Sequence, residues 1–366
     1  MIVCMHYKKV IFICNYAANY GGNFLASLNV LSKELKKRKV KVEYIFPISA
    51  KKKKWEINLD NYKVSFLNIN DEKELSRYFK ENLISGSIIH THFLIPRQLL
   101  KIKHAIGTRP NVKIVFHEHM DLDPRGNKLR NILRKLCFKF IFHNEFFIGV
   151  SPSVYKRLCL IYGEKNSFLV ENAISFNRLD KKGINPFSAD TKKHLIIFGT
   201  DYKRKGADIA IRALQKSKYN SNLELDIVTH QIEEAQRYIV QDNKTIPNNV
   251  KILSTDSDVQ DFYNNSLAFL SPSRHEAFGY AVVEAAYCGT QVVASDVSGQ
   301  NTLKKIPFIY WVQKENVDQL TEAINNSYEK SATERQREGN INKKFIIKNY
   351  SLDTWVKQII TIYNNM

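Results

Sequence analysis

Short apolar runs recur along the chain, spaced so that a helix fits between most neighbours. In the first half they are 9–14 (KVIFIC), 87–91 (SIIHT), 112–116, 147–150 and 167–170. In the second half they are 195–199 (LIIFG), 223–228, 250–253, 267–270, 291–294 and 306–311. Runs of this length without strict polar alternation predict strands buried on both faces. The intervening segments carry a helical period. From Gly22 onward, Phe24, Leu25, Leu28, Leu31 and Leu35 share one helical face, and 93–106 reads as a second helix. Strands alternating with helices demand parallel sheets, so the fold class is α/β. The polar stretch 176–192, broken by Gly183 and Pro186, reads as a linker. It separates a first Rossmann-like domain at 1–180 from a second at 192–346. Helical stretches at about 315–346 and 351–365 end the chain, with 347–366 as a separate terminal segment.

The stretch from Ser271 to Gly299 (SPSRHEAFGYAVVEAAYCGTQVVASDVSG) concentrates the chemistry. A strand at 267–270 runs into a polar turn, and Glu276, Ala277, Phe278 and Gly279 are expected to open a helix that Gly289 stops. Glu284 would then lie about two turns after Glu276, near the same stripe. A helix start behind a strand offers unpaired N–H groups to an anion, and Gly279 lets a ligand approach the backbone. Two carboxylates there can accept hydrogen bonds from sugar hydroxyls. As an isolated pair they read first as a first-turn acid favoured by the helix dipole and a solvated helix residue.

The full string decides more than the pair. Glu276, Phe278, Gly279, Glu284, Cys288, Gly289, Thr290, Val292, Val293, Ala294, Ser295 and Asp296 resemble the signature of the retaining nucleotide-sugar glycosyltransferases of family 4. That resemblance implies the GT-B fold, two Rossmann-like domains facing across a cleft, and a last helix that crosses back to the first domain. It implies a nucleotide-sugar donor, a UDP-sugar first among them, and no cofactor or protein-bound metal. Glu276 with the Phe278 and Gly279 amides would orient the sugar, and Glu284 would hold the ribose. Gly22, of the Gly21-Gly22 pair in the first loop, would lie against the donor phosphate. Lys205-Gly206 matches a family pair that binds the diphosphate. Thr200 stands where relatives carry an arginine, so Arg204 would supply the charge. His117, at the end of the 112–116 strand, matches an imidazole that approaches the donor sugar. The string GVSPSV at 149–154 is shared, whereas Glu171-Asn172-Ala173 lacks the proline and glycine of the family turn.

Composition narrows the remaining classes. Hydrophobic residues make up 44% of 366 and charged residues 25%, which is the balance of a globular chain. The five cysteines are scattered without a C-x-x-C pair, and no signal peptide is expected at the start, so a cytoplasmic location is expected. The net charge of +19 resides in residues 1–200, which hold 35 Lys+Arg against 16 Asp+Glu. An anionic partner for that half is implied. Residues 125–142 place Leu129, Ile132, Leu133, Leu136 and Phe140 on one helical face between Lys128, Arg130, Arg134, Lys135 and Lys139. Such a helix can lie on the inner face of a membrane, or pack on a core with its basic face solvated. A membrane-touching first domain fits a saccharide acceptor on a lipid carrier, and hence surface polysaccharide assembly. The pairs His90/His92 and His117/His119 could share a strand face, but no acid or cysteine stands at a familiar ligand spacing, so no metal is expected. No nucleic-acid motif accompanies the charge, so a nucleic-acid-binding protein is the weaker alternative. The other is a catalytically inactive partner subunit of the same fold.

Overall fold

The computed structural model describes residues 7–59, 61–109, 111–119, 140–180, 193–255 and 258–366. Two compact units divide the chain, Met1–Ala173 with Leu352–Met366, and Ile174–Ser351. The first unit runs β1 (Lys9–Cys14), α1 (Gly22–Lys37), β2 (Lys41–Pro47), β3 (Lys63–Leu67), α2 (Glu72–Asn82), β4 (Ser87–His92) and α3 (Pro96–Ile106). It continues through β5 (Val112–Glu118), β6 (Phe146–Gly149), α4 (Pro152–Tyr162) and β7 (Ser167–Leu169). The second unit runs β8 (His194–Phe198), α5 (Tyr202–Lys205), α6 (Ala207–Lys216), β9 (Glu224–Val228), α7 (Ile232–Asn243), β10 (Val250–Leu253) and α8 (Val259–Asn264). It is completed by β11 (Ala268–Ser271), α9 (Tyr280–Cys288), β12 (Gln291–Asp296), β13 (Ile309–Gln313), α10 (Val317–Glu329) and α11 (Ala332–Asn349). The terminal helix α12 (Leu352–Asn364) belongs to the first unit.

Each unit holds one all-parallel sheet among the described residues, in the orders β3-β2-β1-β4-β5-β6-β7 and β10-β9-β8-β11-β12-β13. Both are doubly wound: the chain moves outward from the first strand, then returns to its other side. All six residues of β1 and all six of β4 are buried, as continuous apolar runs predict for strands covered on both faces. In α1 the expected face is the buried one: Phe24, Leu25, Leu28, Leu31 and Leu35 enter the first unit's core. The same core takes Trp355, Val356, Ile359, Ile360, Ile362 and Tyr363 from α12.

Several expectations are corrected. The strands β2 and β3 are additional; both lie among lysines, yet Tyr44, Ile45 and Phe46 of β2 are fully buried. The first boundary falls at Ala173, not 180, because 174–180 is tied into the second unit. There the Ile174 N–H donates to the Tyr350 carbonyl (3.0 Å), and the Tyr287 hydroxyl donates to Asp180 (2.8 Å). The second boundary is at Ser351 for the same reason, since α11 runs on to Asn349. The expected helix at 315–346 is two helices. Ser331 breaks it by accepting from the Glu334 N–H, while Glu334 accepts from the Ser331 N–H, a capping box. The basic stretch 125–142 lies outside the described residues except for 140–142, where Phe140 is 82% exposed and Phe142 fully buried.

Candidate active site

In a doubly wound sheet, ligands bind beyond the carboxyl ends of the strands where the winding reverses. In the second unit that point lies between the neighbours β8 and β11. The short helix α5 after β8 carries Arg204 and Lys205, with Gly206 just behind it, and the loop after β11 carries Ser273, Arg274 and Glu276. The structure therefore brings together two segments about 70 residues apart in sequence. The Lys205 ammonium donates to Glu276 Oε1, and the Ser273 hydroxyl donates to the same oxygen at 3.1 Å. Arg204 Nη1 stands 3.7 Å from Glu276 Oε1 and donates to the His275 carbonyl at 3.2 Å, while its Nε donates to Asp201 at 2.7 Å. Burial alone would raise the Glu276 pKa. Lys205 first, then Arg204 and Ser273, outweigh it and hold the carboxyl below its ordinary value of 4.5.

Glu276 does not open the helix. It sits in an irregular loop, and α9 begins at Tyr280 with Gly279 as its N-cap. Gly279 has φ +101°, a left-handed conformation that is strained for any residue with a Cβ. This left-handed residue turns the chain between Glu276 and the helix, so the idea that both carboxylates lie on one helical stripe is corrected. Gly299, after β12, is required by close approach: a Cβ there would meet the Glu276 carbonyl oxygen at 1.6 Å. Phe278 is buried, its ring packed edge-on against Tyr280 and Tyr350, so its side chain anchors the loop.

Glu284 does lie in α9, and only 5% of it is exposed. Its Oε1 accepts from Arg178 Nη1 at 2.8 Å and its Oε2 from the Tyr263 hydroxyl at 3.0 Å. Sequence reasoning missed both partners. Arg178 is 106 residues away, and no local signal marks it. It also missed Arg274, which grips Asp208 with two parallel hydrogen bonds (2.8 and 2.9 Å) and Glu315 at 2.8 Å. The Arg274 N–H donates to the Arg204 carbonyl at 2.8 Å, so this residue staples the two segments together. An arginine two positions before Glu276 was the available signal.

The other two expected residues lie in the first unit. Gly22 is the first residue of α1, with φ +56°. His117 is on β5, opposite His92 of β4 in register. Residues two apart on a strand share a face, so His90, His92, His117 and the following His119 converge. His90 Nε2 lies 3.2 Å from His117 Nδ1, and His92 Nδ1 lies 2.9 Å from His119 Nε2. Burial lowers all four pKa values, with neighbouring imidazoles adding to the effect at His90, His92 and His117; His90 and His119 fall to about 3. These rings are therefore neutral near neutral pH. His90, His92 and His117 offer ring nitrogens within 4.8 Å of one another, so this set could hold a metal ion. The same is true of His194, Glu224 and Asp226, at the opposite ends of the strands β8 and β9.

Comparisons with known proteins place this geometry. Residues 181–345 match the family model described as Glycosyl transferases group 1. No curated protein matches the chain in sequence. Among solved structures, a glycosyltransferase from Rickettsia africae is similar at 17% identity and TM-score 0.79, covering 98% of each chain. HepE from Anabaena, solved with UDP and glucose, is similar at 16% identity and TM-score 0.78, over 98% of this chain and 100% of that one. Sucrose-phosphate synthase from Thermosynechococcus elongatus follows at 15% identity and TM-score 0.74, covering 98% of each. At such identities the likeness concerns the fold. This chain has the GT-B fold of two parallel-sheet units, and residues 181–345, within which Glu276 and Lys205 pair, carry the sequence pattern of the glycosyl transferases group 1.

Proposed function

We propose that this chain is a retaining glycosyltransferase of the family 4 type, moving a sugar from a nucleotide diphosphate donor to a saccharide acceptor. The observation that carries this reading is the Lys205–Glu276 pair, flanked by Arg204, at the winding reversal of a unit that matches a glycosyl transferase model. A cation and a carboxylate held side by side suit a substrate that is anionic at one end and hydroxylated at the other. Lys205 and Arg204 take the diphosphate and stabilise the charge that grows on it as the bond from C1 to the phosphate oxygen breaks. Glu276 and the Phe278 and Gly279 amides orient the sugar. Glu284, held by Arg178 and Tyr263, accepts hydrogen bonds from the ribose. Gly22 leaves room for a phosphate, and His117 hydrogen-bonds the sugar. The acceptor oxygen forms the new bond to C1 on the face the diphosphate leaves, and a phosphate oxygen takes its proton.

The donor is assigned as a UDP-sugar, in keeping with the UDP and glucose in HepE. The acceptor is assigned as a lipid-linked saccharide in surface polysaccharide assembly, in keeping with the charge excess of residues 1–200. The test is incubation of the purified protein with UDP-sugars and either free or prenyl-diphosphate-linked saccharides. Expected are UDP release, an unchanged anomeric configuration by NMR, and a strong preference for the lipid-linked acceptor. Lys205→Ala should lower kcat/KM by about a hundredfold or more, the usual scale for one transition-state contact. Near-normal turnover in that variant would remove the assignment.

A further inference from the structure

His117 can hydrogen-bond a sugar in a fixed sense only if its single proton is held on one ring nitrogen. The ring is buried, and its Nε2 has no hydrogen-bond partner among the described residues. Its Nδ1 faces His90 Nε2 at 3.2 Å, and His90 Nδ1 in turn faces the Tyr363 hydroxyl at 2.6 Å. Tyr363 comes from α12, 273 residues further along the chain than His90. A neutral imidazole carries one proton, so each ring in such a chain donates from one nitrogen and accepts at the other. The direction is set at the phenol end. A phenolic O–H is a stronger donor than an imidazole N–H, and a phenol oxygen is a weaker acceptor than an imidazole nitrogen. Tyr363 is fully buried, and an ordinary phenol already keeps its proton near neutral pH. Tyr363 therefore donates to His90 Nδ1, His90 donates from Nε2 to His117 Nδ1, and the proton of His117 is left on Nε2. A buried N–H without a partner is costly, which a protein tolerates where a ligand will satisfy it.

We propose that Tyr363 and His90 are positioning residues that fix His117 as an Nε2–H donor, presented to an oxygen of the bound sugar. This rests on the glycosyltransferase reading for the identity of the ligand, but the proton placement stands on the first unit alone. The relay explains the phenol that α12 carries at this position: Phe would fill the same space in the core but leave the direction of the relay unset. His92 and His119 form a separate pair and pass no proton to His117 in this arrangement.

The experiment is nitrogen-15 NMR of the histidine rings in the full-length protein, with kinetics on Tyr363→Phe. In the wild type, the His117 signals should show the Nε2–H tautomer. The Nδ1–H form, or the shifts of a metal-bound ring, would overturn the proposal. In Tyr363→Phe the His117 signals should become those of mixed tautomers, and kcat should fall about tenfold with donor KM little changed. An unaltered tautomer in the variant, or a mixed tautomer with unaltered kcat, would each refute the positioning role. Should Tyr363→Phe not fold, the wild-type spectrum decides. A wild type that transfers no sugar at all would sink the functional reading, and the tautomer spectra would then decide the proton placement by themselves.

Discussion

Glu276 is paired with Lys205, Ser273 and Arg204 at the candidate site, and its protonation is a measurable consequence of these contacts. Its folded pKa lies below 4.5, so its ionised form is favoured by folding. The sign follows from linkage: the associated stability is fully present above 4.5 and is lost as pH falls through the lower folded value. The stability advantage of the wild type over Glu276→Gln should therefore be largest near neutral pH and should shrink as the pH falls below 4.5. Urea unfolding of both proteins across that range checks it, and a gap that widens on acidification would contradict the assigned pairing. Most of the residues at this site were legible one at a time. Glu276, Lys205, Gly279 and Glu284 stand in recognisable strings. Their partners were not legible, because Arg178, Tyr263 and Lys205 reach the acidic side chains from segments that sequence distance separates by 21 to 106 residues.

At the scale of elements, the apolar runs and helical stripes foretold most strands and helices, because a strand buried on both faces leaves a continuous hydrophobic signature. The failures have local causes. In β2 the exposed Lys41 and the half-buried Glu43 leave only a short buried run, and in β3 Lys63 is exposed and the other four residues are half-buried. Before α9, propensity favoured an earlier helix start, and the left-handed Gly279 overrides it. The terminal helix α12 offers a quantitative test. Ile359 is fully buried in the first unit's core, among strands near the start of the chain. Ile359→Ala should destabilise the protein by about 3 kcal/mol, the sum of lost transfer free energy and the cavity left behind. The exposed neighbour substitution Lys357→Ala should fall within about 0.5 kcal/mol of wild type. Denaturant midpoints measure both, and equal values would show that α12 is not a core element.

For the whole molecule, the two units differ in charge as well as in content. The positive excess belongs to residues 1–200, whereas residues 201–366 hold 20 basic and 20 acidic side chains. The neutral half nevertheless concentrates cations in α5, just after β8, so affinity for a diphosphate there is a matter of local placement and not of net charge. A nucleotide held there should stabilise the protein by mass action. UDP at a hundred times its dissociation constant should add about 2.7 kcal/mol to unfolding, and Lys205→Ala should weaken that gain at the same UDP concentration. A thermal shift identical in wild type and variant would place the nucleotide elsewhere.

The sequence by itself determined the two parallel-sheet units, the core face of α1, and the identity of the segments that carry Lys205 and Glu276. Those follow from local periodicity and from short strings, which need no knowledge of distant contacts. Only the tertiary structure decided that the lysine and the carboxylate meet, that Glu284 is held by Arg178 and Tyr263, and that four imidazoles and a terminal phenol share one buried face. The physical reason is that sheet order sets these encounters. The strands β8 and β11 are neighbours, as are β4 and β5, and pairing between strands brings together side chains whose separation along the chain carries no signal.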